Sequence, residues 1–313
     1  QSLNRISRSD LSSPLNLFII DNNYRMIGSL TDGDVRRGLI NGKTLDDAVN
    51  SIMYKDFHYL LKDECAINKI RDFREKDIGL VPIIDQENRI DRIIDLTKKK
   101  SLLPIDSVIM AGGEGKRLRP LTEDTPKPLI KVGDKPIIDY IVDRMNLYGI
   151  PQLTVSVCYK GEQIIDHFKQ VGDKWDLDIN FVREDAPLGT IGALRLVDNF
   201  KHDTILLSNS DLLSTINYEK FYEFFKESNA DVAVASVPYN VKIPYGIFNT
   251  NGTEILSLQE KPEYTYYSNA GIYLLKRELV SEIPADEYVD VTDFLEILIE
   301  NDYNVNYYPL LGY

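Results

Sequence analysis

Cysteine and histidine are scarce in this chain of 313 residues, which carries two of the first and three of the second. Cys65 and Cys158 lie far apart, which argues against a disulfide framework and suits a reducing cytoplasm. His58, His167 and His202 lack zinc-ligand spacing and read as ordinary surface or core residues. No apolar run approaches the length of a membrane span, and Gln1-Ser2-Leu3-Asn4-Arg5 is not a signal peptide. An initiating Met is missing too, so the sequence is expected to begin inside a longer chain. Positive charge is short: 36 Lys and Arg face 49 Asp and Glu, a net −13. That balance argues against general nucleic-acid binding. It also means that a polyanionic ligand must find local cations, from a basic loop and a metal ion. The length is enough for two domains, each burying its own core.

The stretch Val108 to Lys127, VIMAGGEGKRLRPLTEDTPK, organises what is present. Ser107-Val108-Ile109-Met110-Ala111 is an apolar run that reads as a buried parallel strand. Gly112, Gly113 and Gly115 follow, then Lys116, Arg117, Arg119 and, further on, Lys127. Glycines let backbone N–H groups approach a bulky anion, and Arg and Lys supply charge for phosphate oxygens. The spacing excludes two familiar glycine loops. A P-loop has Gly where Met110 stands and Ser or Thr where Arg117 stands; a dinucleotide fingerprint has its last Gly where Leu118 stands. A tight turn after a strand is the plain alternative for the glycines taken alone.

Gly-x-Gly-x-Arg-Leu-x-Pro-Leu-Thr, then Pro126-Lys127-Pro128-Leu129 and Lys135-Pro136-Ile137, resembles the signature of the sugar-1-phosphate nucleotidyltransferases. The resemblance implies that the loop from Ala111 through Gly112, Gly113 and Gly115 wraps a nucleoside triphosphate. It gives Arg117 the triphosphate and Lys127 the reacting phosphates.

The residues before this stretch carry a repeat. Leu17–Asp21 and Met26–Leu30 read as strands, followed by Thr31-Asp32-Gly33-Asp34, where Asp34 is expected to cap a helix. Val81–Asp85 and Ile90–Asp95 repeat the unit, Asp85 aligning with Asp21 and Arg89 with Arg25. Residues 1–103 thereby resemble a CBS domain pair, whose cleft often holds an adenine nucleotide. Gly28, Thr31 and Asp34 match its Gly-h-h-Thr-x-x-Asp element, so Thr31 and Asp34 are the implied ligand contacts. The second copy has Arg92, Asp95 and Lys98 instead, and the first lacks its leading helix. A packing or dimerising module without ligand, joining copies of the chain, is the competing reading. Lys98-Lys99-Lys100-Ser101 reads as a solvated run leading through Leu102-Leu103-Pro104 into the transferase part, 104–313.

In that part strands alternate with helices. A helix starts at Pro136, a strand covers Leu153–Tyr159, a helix Gly161–Gln170 and a strand Ile179–Arg183. A helix opening at the Pro187-Leu188-Gly189-Thr190 turn is expected to reach Phe200, and a strand Thr204–Asp211 follows. The fold class is α/β: a Rossmann-like, mostly parallel sheet with helices on both faces, its ligands at the carboxyl ends of the strands. Asn251-Gly252 marks a hairpin, Asn269 opens a strand, Val291–Glu300 is an amphipathic helix and Tyr303–Leu311 a last strand. An Asp at a strand tip beside a phosphate loop suits Mg²⁺, which prefers oxygen ligands, so Asp211 is the candidate metal ligand.

The family resemblance extends to these segments. It implies that Gly189 and Thr190 meet the nucleotide, and that Gly246, Glu260, Lys261, Asn269 and Gly271 hold the sugar phosphate. A helix cap accounts for Gly189 and Thr190 equally well, and a surface pair for Glu260 and Lys261. Tyr264, Tyr266 and Tyr267 read as loop packing. A Trp-x-Asp element that gives the second metal carboxylate is expected just after Leu311-Gly312-Tyr313. The implied reaction is attack of a sugar 1-phosphate on a nucleoside triphosphate, releasing pyrophosphate, with Mg²⁺ as cofactor. GTP is favoured, because transferases with such an N-terminal pair resemble guanylyltransferases serving surface glycans. The rival is a regulatory adenine-nucleotide-binding protein whose transferase domain is inactive.

Overall fold

The computed structural model describes residues 16–62, 64–285 and 287–310. The chain divides into two compact units. One comprises the described residues up to Leu102 together with Leu147–Gly149; the other comprises Leu103–Asn146 and the described residues from Ile150 on.

The first unit contains β1 (Asn16–Ile20), β2 (Met26–Thr31), α1 (Asp32–Ile40), β3 (Leu60–Leu61), α2 (Ile67–Glu75), β4 (Leu80–Ile84) and β5 (Ile90–Asp95). The repeat seen in the sequence recurs in its hydrogen bonds. Asp21 Oδ1 accepts from the N–H groups of Asn23 and Arg25, each at 2.8 Å, and Tyr24 turns the chain at φ +62°. In the second copy Asp85 Oδ1 accepts from Glu87 at 3.0 Å and Arg89 at 2.8 Å, with Asn88 at φ +61°. The two turns join through an antiparallel bridge between Arg25 and Arg89. Leu60, Ile70, Phe73, Val81, Ile83 and Ile94 form a core around β3, α2 and the second hairpin.

Three expectations need correction here or fall outside view. Asp34 does not cap α1; Thr31 does, and Asp34 is the third helical residue of a capping box. Thr31 N donates to Asp34 Oδ2 at 2.8 Å and Asp34 N to Thr31 Oγ1 at 3.2 Å, while Arg37 takes the other carboxylate oxygen at 2.6 Å. The lysine run is not wholly solvated, since Lys99 is buried. Lys98 and Lys99 N–H groups both bond to Asp95 O at 3.1 Å, and that turn winds Lys99 inward. The expected loss of a leading helix concerns residues before Asn16, outside the described residues.

The second unit continues with β6 (Asp106–Met110), β7 (Lys131–Val132), β8 (Lys135–Pro136), α3 (Ile137–Leu147), β9 (Gln152–Val157), α4 (Gly161–Val171), β10 (Asp178–Arg183), β11 (Thr204–Asn209), α5 (Tyr218–Glu227), β12 (Val232–Lys242), β13 (Ile247–Asn251), β14 (Glu254–Gln259), β15 (Glu263–Lys276), α6 (Val291–Glu300) and β16 (Val305–Pro309). Its seven-stranded sheet has the order β10-β9-β6-β11-β15-β12-β16. All strands run the same way except β15, which is antiparallel to both neighbours.

Side-chain alternation puts helices on both faces. Val108, Ile205, Leu207, Val232, Val234 and Tyr273 pack with Phe294 and Leu298 of α6. On the opposite face Tyr308, the neighbour of Ala235, stacks against Phe221 and Phe224 of α5 at 5.1 and 5.3 Å. In α3 the apolar spacing seen in the sequence is realised, with Ile138, Ile141, Val142 and Met145 all buried.

Several boundaries differ from expectation. The segment after Gly189 is no long helix but a 3₁₀ turn, Gly192–Leu196, because its chain is tied at Gly189–Ile191 to Val289–Val291. Helix α3 begins at Ile137, since Pro136 still pairs with Lys131. Strand β15 begins at Glu263, so Asn269 lies mid-strand and Tyr264, Tyr266 and Tyr267 are strand residues; the Tyr267 ring lies 4.6 Å from that of Tyr307. The last strand is shorter than read, Val305–Pro309. Leu311-Gly312-Tyr313, after which the Trp-x-Asp element is expected, lie outside the described residues.

Asp231 ties three strands together. Its carboxylate accepts from Lys276 Nζ at 2.6 Å and from Asn304 N at 2.7 Å. Burial pushes its pKa up, but bonds from Lys276 and Asn304 outweigh this and hold it below 3.8. A depressed folded pKa gives stability that is present above the unfolded value and lost as pH falls through the folded one. Asp231→Asn is therefore expected to cost about 1–3 kcal/mol at pH 7. Urea unfolding should show that difference shrinking as the pH drops below 3.8.

Candidate active site

Strand order reverses at β6, with β9 and β10 on one side of it and β11 on the other. In open α/β sheets such a reversal leaves a crevice at the carboxyl ends of the strands. The glycine loop leaves β6 at this end, and Asn209-Ser210-Asp211 leaves β11 beside it. The strand thus stops at Asn209, and Asp211 sits in the turn beyond rather than on the strand.

Packing explains two of the loop glycines and not the third. A side chain on Gly112 would come within 2.6 Å of Glu184 Oε1. Gly115 has φ +63°, and a Cβ there would lie 2.9 Å from Thr122 Cγ2 and 3.2 Å from Lys127 Cβ. Buried Thr122 donates from Oγ1 to Gly115 O at 3.0 Å, which closes the loop. Nothing lies within 4 Å of a Cβ at Gly113. Ala111 is buried and its N–H bonds to Ser156 O at 3.0 Å, tethering the loop to β9.

The basic residues part company. Lys116 and Arg119 both pair with Glu114, at 3.3 and 3.4 Å. Arg117 is exposed and has no ion pair among the described residues. Lys127 stands between buried Pro126 and buried Pro128 in a 3₁₀ turn, and its ammonium contacts Asp211 Oδ2. The two side chains are 32 % and 31 % exposed, open to a ligand and still partly shielded from water.

Next to this pair the reversed strand β15 passes the tip of β11. Gly271, at φ +73°, has no room for a Cβ, which would lie 2.4 Å from Asn209 Nδ2. Asn269 Oδ1 accepts from Gly271 N at 2.9 Å and fixes the irregularity there. The structure so brings Gly115, Lys127 and Asp211 together, with Asn209, two residues before Asp211, packed on Gly271. Gly246, Glu260 and Lys261 form a cluster of their own on the hairpin. A Cβ on Gly246 would be 3.0 Å from Glu260 Oε2, and Glu260 pairs with Lys261 at 3.9 Å with both side chains about two-thirds exposed.

Gly189 and Thr190 have structural partners. At φ +81° a Cβ on Gly189 would meet Val289 O at 2.3 Å. Thr190 donates from Oγ1 to Asp290 Oδ1 at 3.2 Å and accepts from Val291 N at 2.7 Å, at the start of α6. The close backbone approach that this glycine permits is to Val289.

One residue escaped the sequence reading. Glu184, just after β10, is buried beneath Gly112; its Oε1 accepts from Ser156 Oγ at 2.6 Å and its Oε2 from Leu188 N at 3.0 Å. The available signal was an acidic residue between a strand end and the Pro187-Leu188-Gly189 turn. Glu184 lines a cavity of about 530 Å³ with Cys158, Lys160, Gln163, Arg183 and Asp185. Burial, then the carboxylates of Glu184, Glu114 and Asp185, push the Cys158 thiol up, so it stays protonated and is no nucleophile.

The described residues contain no cluster of three or more His, Cys, Asp or Glu side chains able to cage a metal. Asp211, in the turn beside the loop, offers a hard carboxylate oxygen that is partly open to solvent. That donor set fits Mg²⁺, which keeps waters and shares one or two carboxylates with substrate phosphates.

The profile of the nucleotidyl transferase family matches residues 106–313, and the chain belongs to that family. The mannose-1-phosphate guanyltransferase of Yarrowia lipolytica is 35% identical over 183 residues, 56% of this chain and 50% of that protein. The D-glycero-alpha-D-manno-heptose 1-phosphate guanylyltransferase of Aneurinibacillus thermoaerophilus is 29% identical over 196 residues, 61% of this chain and 84% of that protein. The crystal structure of HddC from Yersinia pseudotuberculosis superposes with a TM-score of 0.50 at 25% identity, over 66% of this chain and 90% of that one. The chain spans about half the length of the curated mannose-1-phosphate relatives, 50% for Yarrowia lipolytica and 53% for Mycobacterium tuberculosis. No described helix is long and apolar enough to cross a membrane.

The two kinds of glycine separate experimentally. Gly189→Ala should lower stability by roughly 2–4 kcal/mol through backbone collision and a disfavoured φ. Gly113→Ala should change it by less than about 0.5 kcal/mol. Denaturant midpoints of the two variants check this.

Proposed function

We propose that the protein transfers a guanylyl group from GTP to a sugar 1-phosphate and releases pyrophosphate. The observation that carries the reading is the contact of Lys127 with Asp211 at the switch point, beside a glycine loop whose Gly113 faces open space. A phosphate monoester is already a nucleophile, so the barrier lies in bringing two polyanions together and in charge gathering on the leaving group. Cations and positioning meet that need without a covalent intermediate.

Lys127 would neutralise the reacting phosphates, and exposed Arg117 would hold the departing pyrophosphate. Asp211 would hold Mg²⁺, which when bound supplies further positive charge to the phosphate oxygens. Guanine as the base rests on the relatives, since both oxygens of buried Glu184 are already engaged by Ser156 and Leu188. Relatives named for guanylyl transfer to mannose and heptose 1-phosphates support the same base and a manno-type sugar. Glu260 and Lys261 on the hairpin, with Gly246, would meet that sugar phosphate; the product would serve glycan assembly.

The repeated hairpins support a CBS-type pair in the first unit. Thr31 and Asp34, engaged with each other, suit a packing role there, with self-association as its use, better than an adenine-nucleotide contact. The assembled Lys127–Asp211 pair weighs against a regulatory protein with an inactive transferase part.

Lys127→Ala and Asp211→Asn should each lower turnover by at least about a hundredfold, the scale of losing an electrostatic contact to the reacting phosphates. Pyrophosphate release measured across GTP, ATP, UTP and dTTP should favour GTP by at least about tenfold. Near-normal rates in either variant, or equal rates across the bases, would break the respective assignment.

A further inference from the structure

Lys127 and Asp211 face a conflict of roles. Asp211 is the carboxylate suited to a divalent cation, yet its Oδ2 is in contact with the Lys127 ammonium. Lys127 is suited to phosphate oxygens, yet its charge is spent on that carboxylate. The backbone around Lys127 is held in place: prolines flank it, and Gly115 packs where a Cβ would be 3.2 Å from Lys127 Cβ. Only the side chain beyond Cβ is free to swing. Among the described residues no second cation pairs with Asp211: Lys116 and Arg119 are paired with Glu114, and exposed Arg117 makes no ion pair there. On a chain of net charge −13, a bare carboxylate at this tip would repel an incoming triphosphate.

We propose that Lys127 is a placeholder cation: in the empty site it neutralises Asp211, and it passes to the phosphates only when a divalent cation takes over that carboxylate. The ammonium therefore belongs to the metal position before binding and to the phosphate position after it. Metal and nucleotide become thermodynamically coupled through one side chain, each helping the other to bind. The inference rests on the nucleotidyl-transfer reading for its ligand, a nucleoside triphosphate. It adds that Asp211 holds the lysine back from that ligand until the metal arrives.

The test is direct binding of GTP to the full chain in EDTA, by titration calorimetry, for the wild type, Asp211→Asn, Lys127→Met and the double variant. Removing the Asp211 charge lessens repulsion equally in both lysine backgrounds; releasing a tethered lysine helps only where Lys127 is present. The double-mutant cycle isolates that second part. Asp211→Asn is expected to tighten metal-free GTP about tenfold with Lys127 present, and no more than about threefold in the Lys127→Met background, where an uncharged aliphatic chain replaces the lysine. Equal gains in the two backgrounds overturn the placeholder role. With Mg²⁺ added the sign should reverse, Asp211→Asn binding GTP more weakly than the wild type. An Asp211→Asn variant that stays tighter with Mg²⁺ overturns Asp211 as the metal ligand, and this inference with it. Failure of every form to bind GTP overturns the nucleotidyl-transfer reading itself.

Discussion

An acidic chain that handles phosphates has to concentrate its few free cations, and the contact between Lys127 and Asp211 is where that constraint is met. Of the basic residues in the loop, Lys116 and Arg119 are neutralised locally by Glu114. Arg117 and Lys127 escape that pairing, and of the two Lys127 is anchored by its backbone. The carboxylate it touches is the one proposed to hold a shared metal. Both charges sit about one-third exposed, where water screens them less than at an open surface.

The fold serves this contact at several removes. Parallel pairing of β6 with β11 sets the glycine loop beside the turn that carries Asp211. The reversed strand β15 then closes in at Gly271, whose missing side chain lets it pass Asn209. At the other end of β6, the buried Asp106 carboxylate accepts from Lys201 N at 2.7 Å and His202 N at 2.8 Å, tying the approach to β11 to the start of β6. The Thr190–Asp290 lock fixes the turn after β10 against the start of α6. The last two ties pair buried or half-buried polar groups that satisfy one another, the condition under which they hold a unique arrangement.

Much of this was legible in the sequence because it is local. The apolar run ending at Met110, the glycines after it, the i, i+3, i+4 spacing of α3 and the Asn251-Gly252 turn are each written in adjacent residues. The repeat of Asp21 and Arg25 at Asp85 and Arg89 was equally plain, and it recurs bond for bond. What could not be read depends on partners distant in the chain. The need for glycine at 189 could not be read in full, because nothing nearby hints at Val289, a hundred positions on. The helix expected after it was cut to a 3₁₀ turn by the same tie. Glu184 carries little local signal because its partners, Gly112 in the loop after β6 and Ser156 on β9, are distant in the chain. Thr31 and Asp34 matched a ligand motif, and the same two residue types make a capping box.

The proposed chemistry carries a guanylyl group from one phosphate to another by cations and positioning, with no covalent intermediate. Isotope exchange tests it most directly: labelled pyrophosphate is incubated with the full chain, Mg²⁺, GTP and a manno-type sugar 1-phosphate, and label entering GTP is measured. Direct transfer predicts exchange that requires the sugar phosphate and vanishes without it. Exchange in its absence, or none under any condition, would contradict the claim.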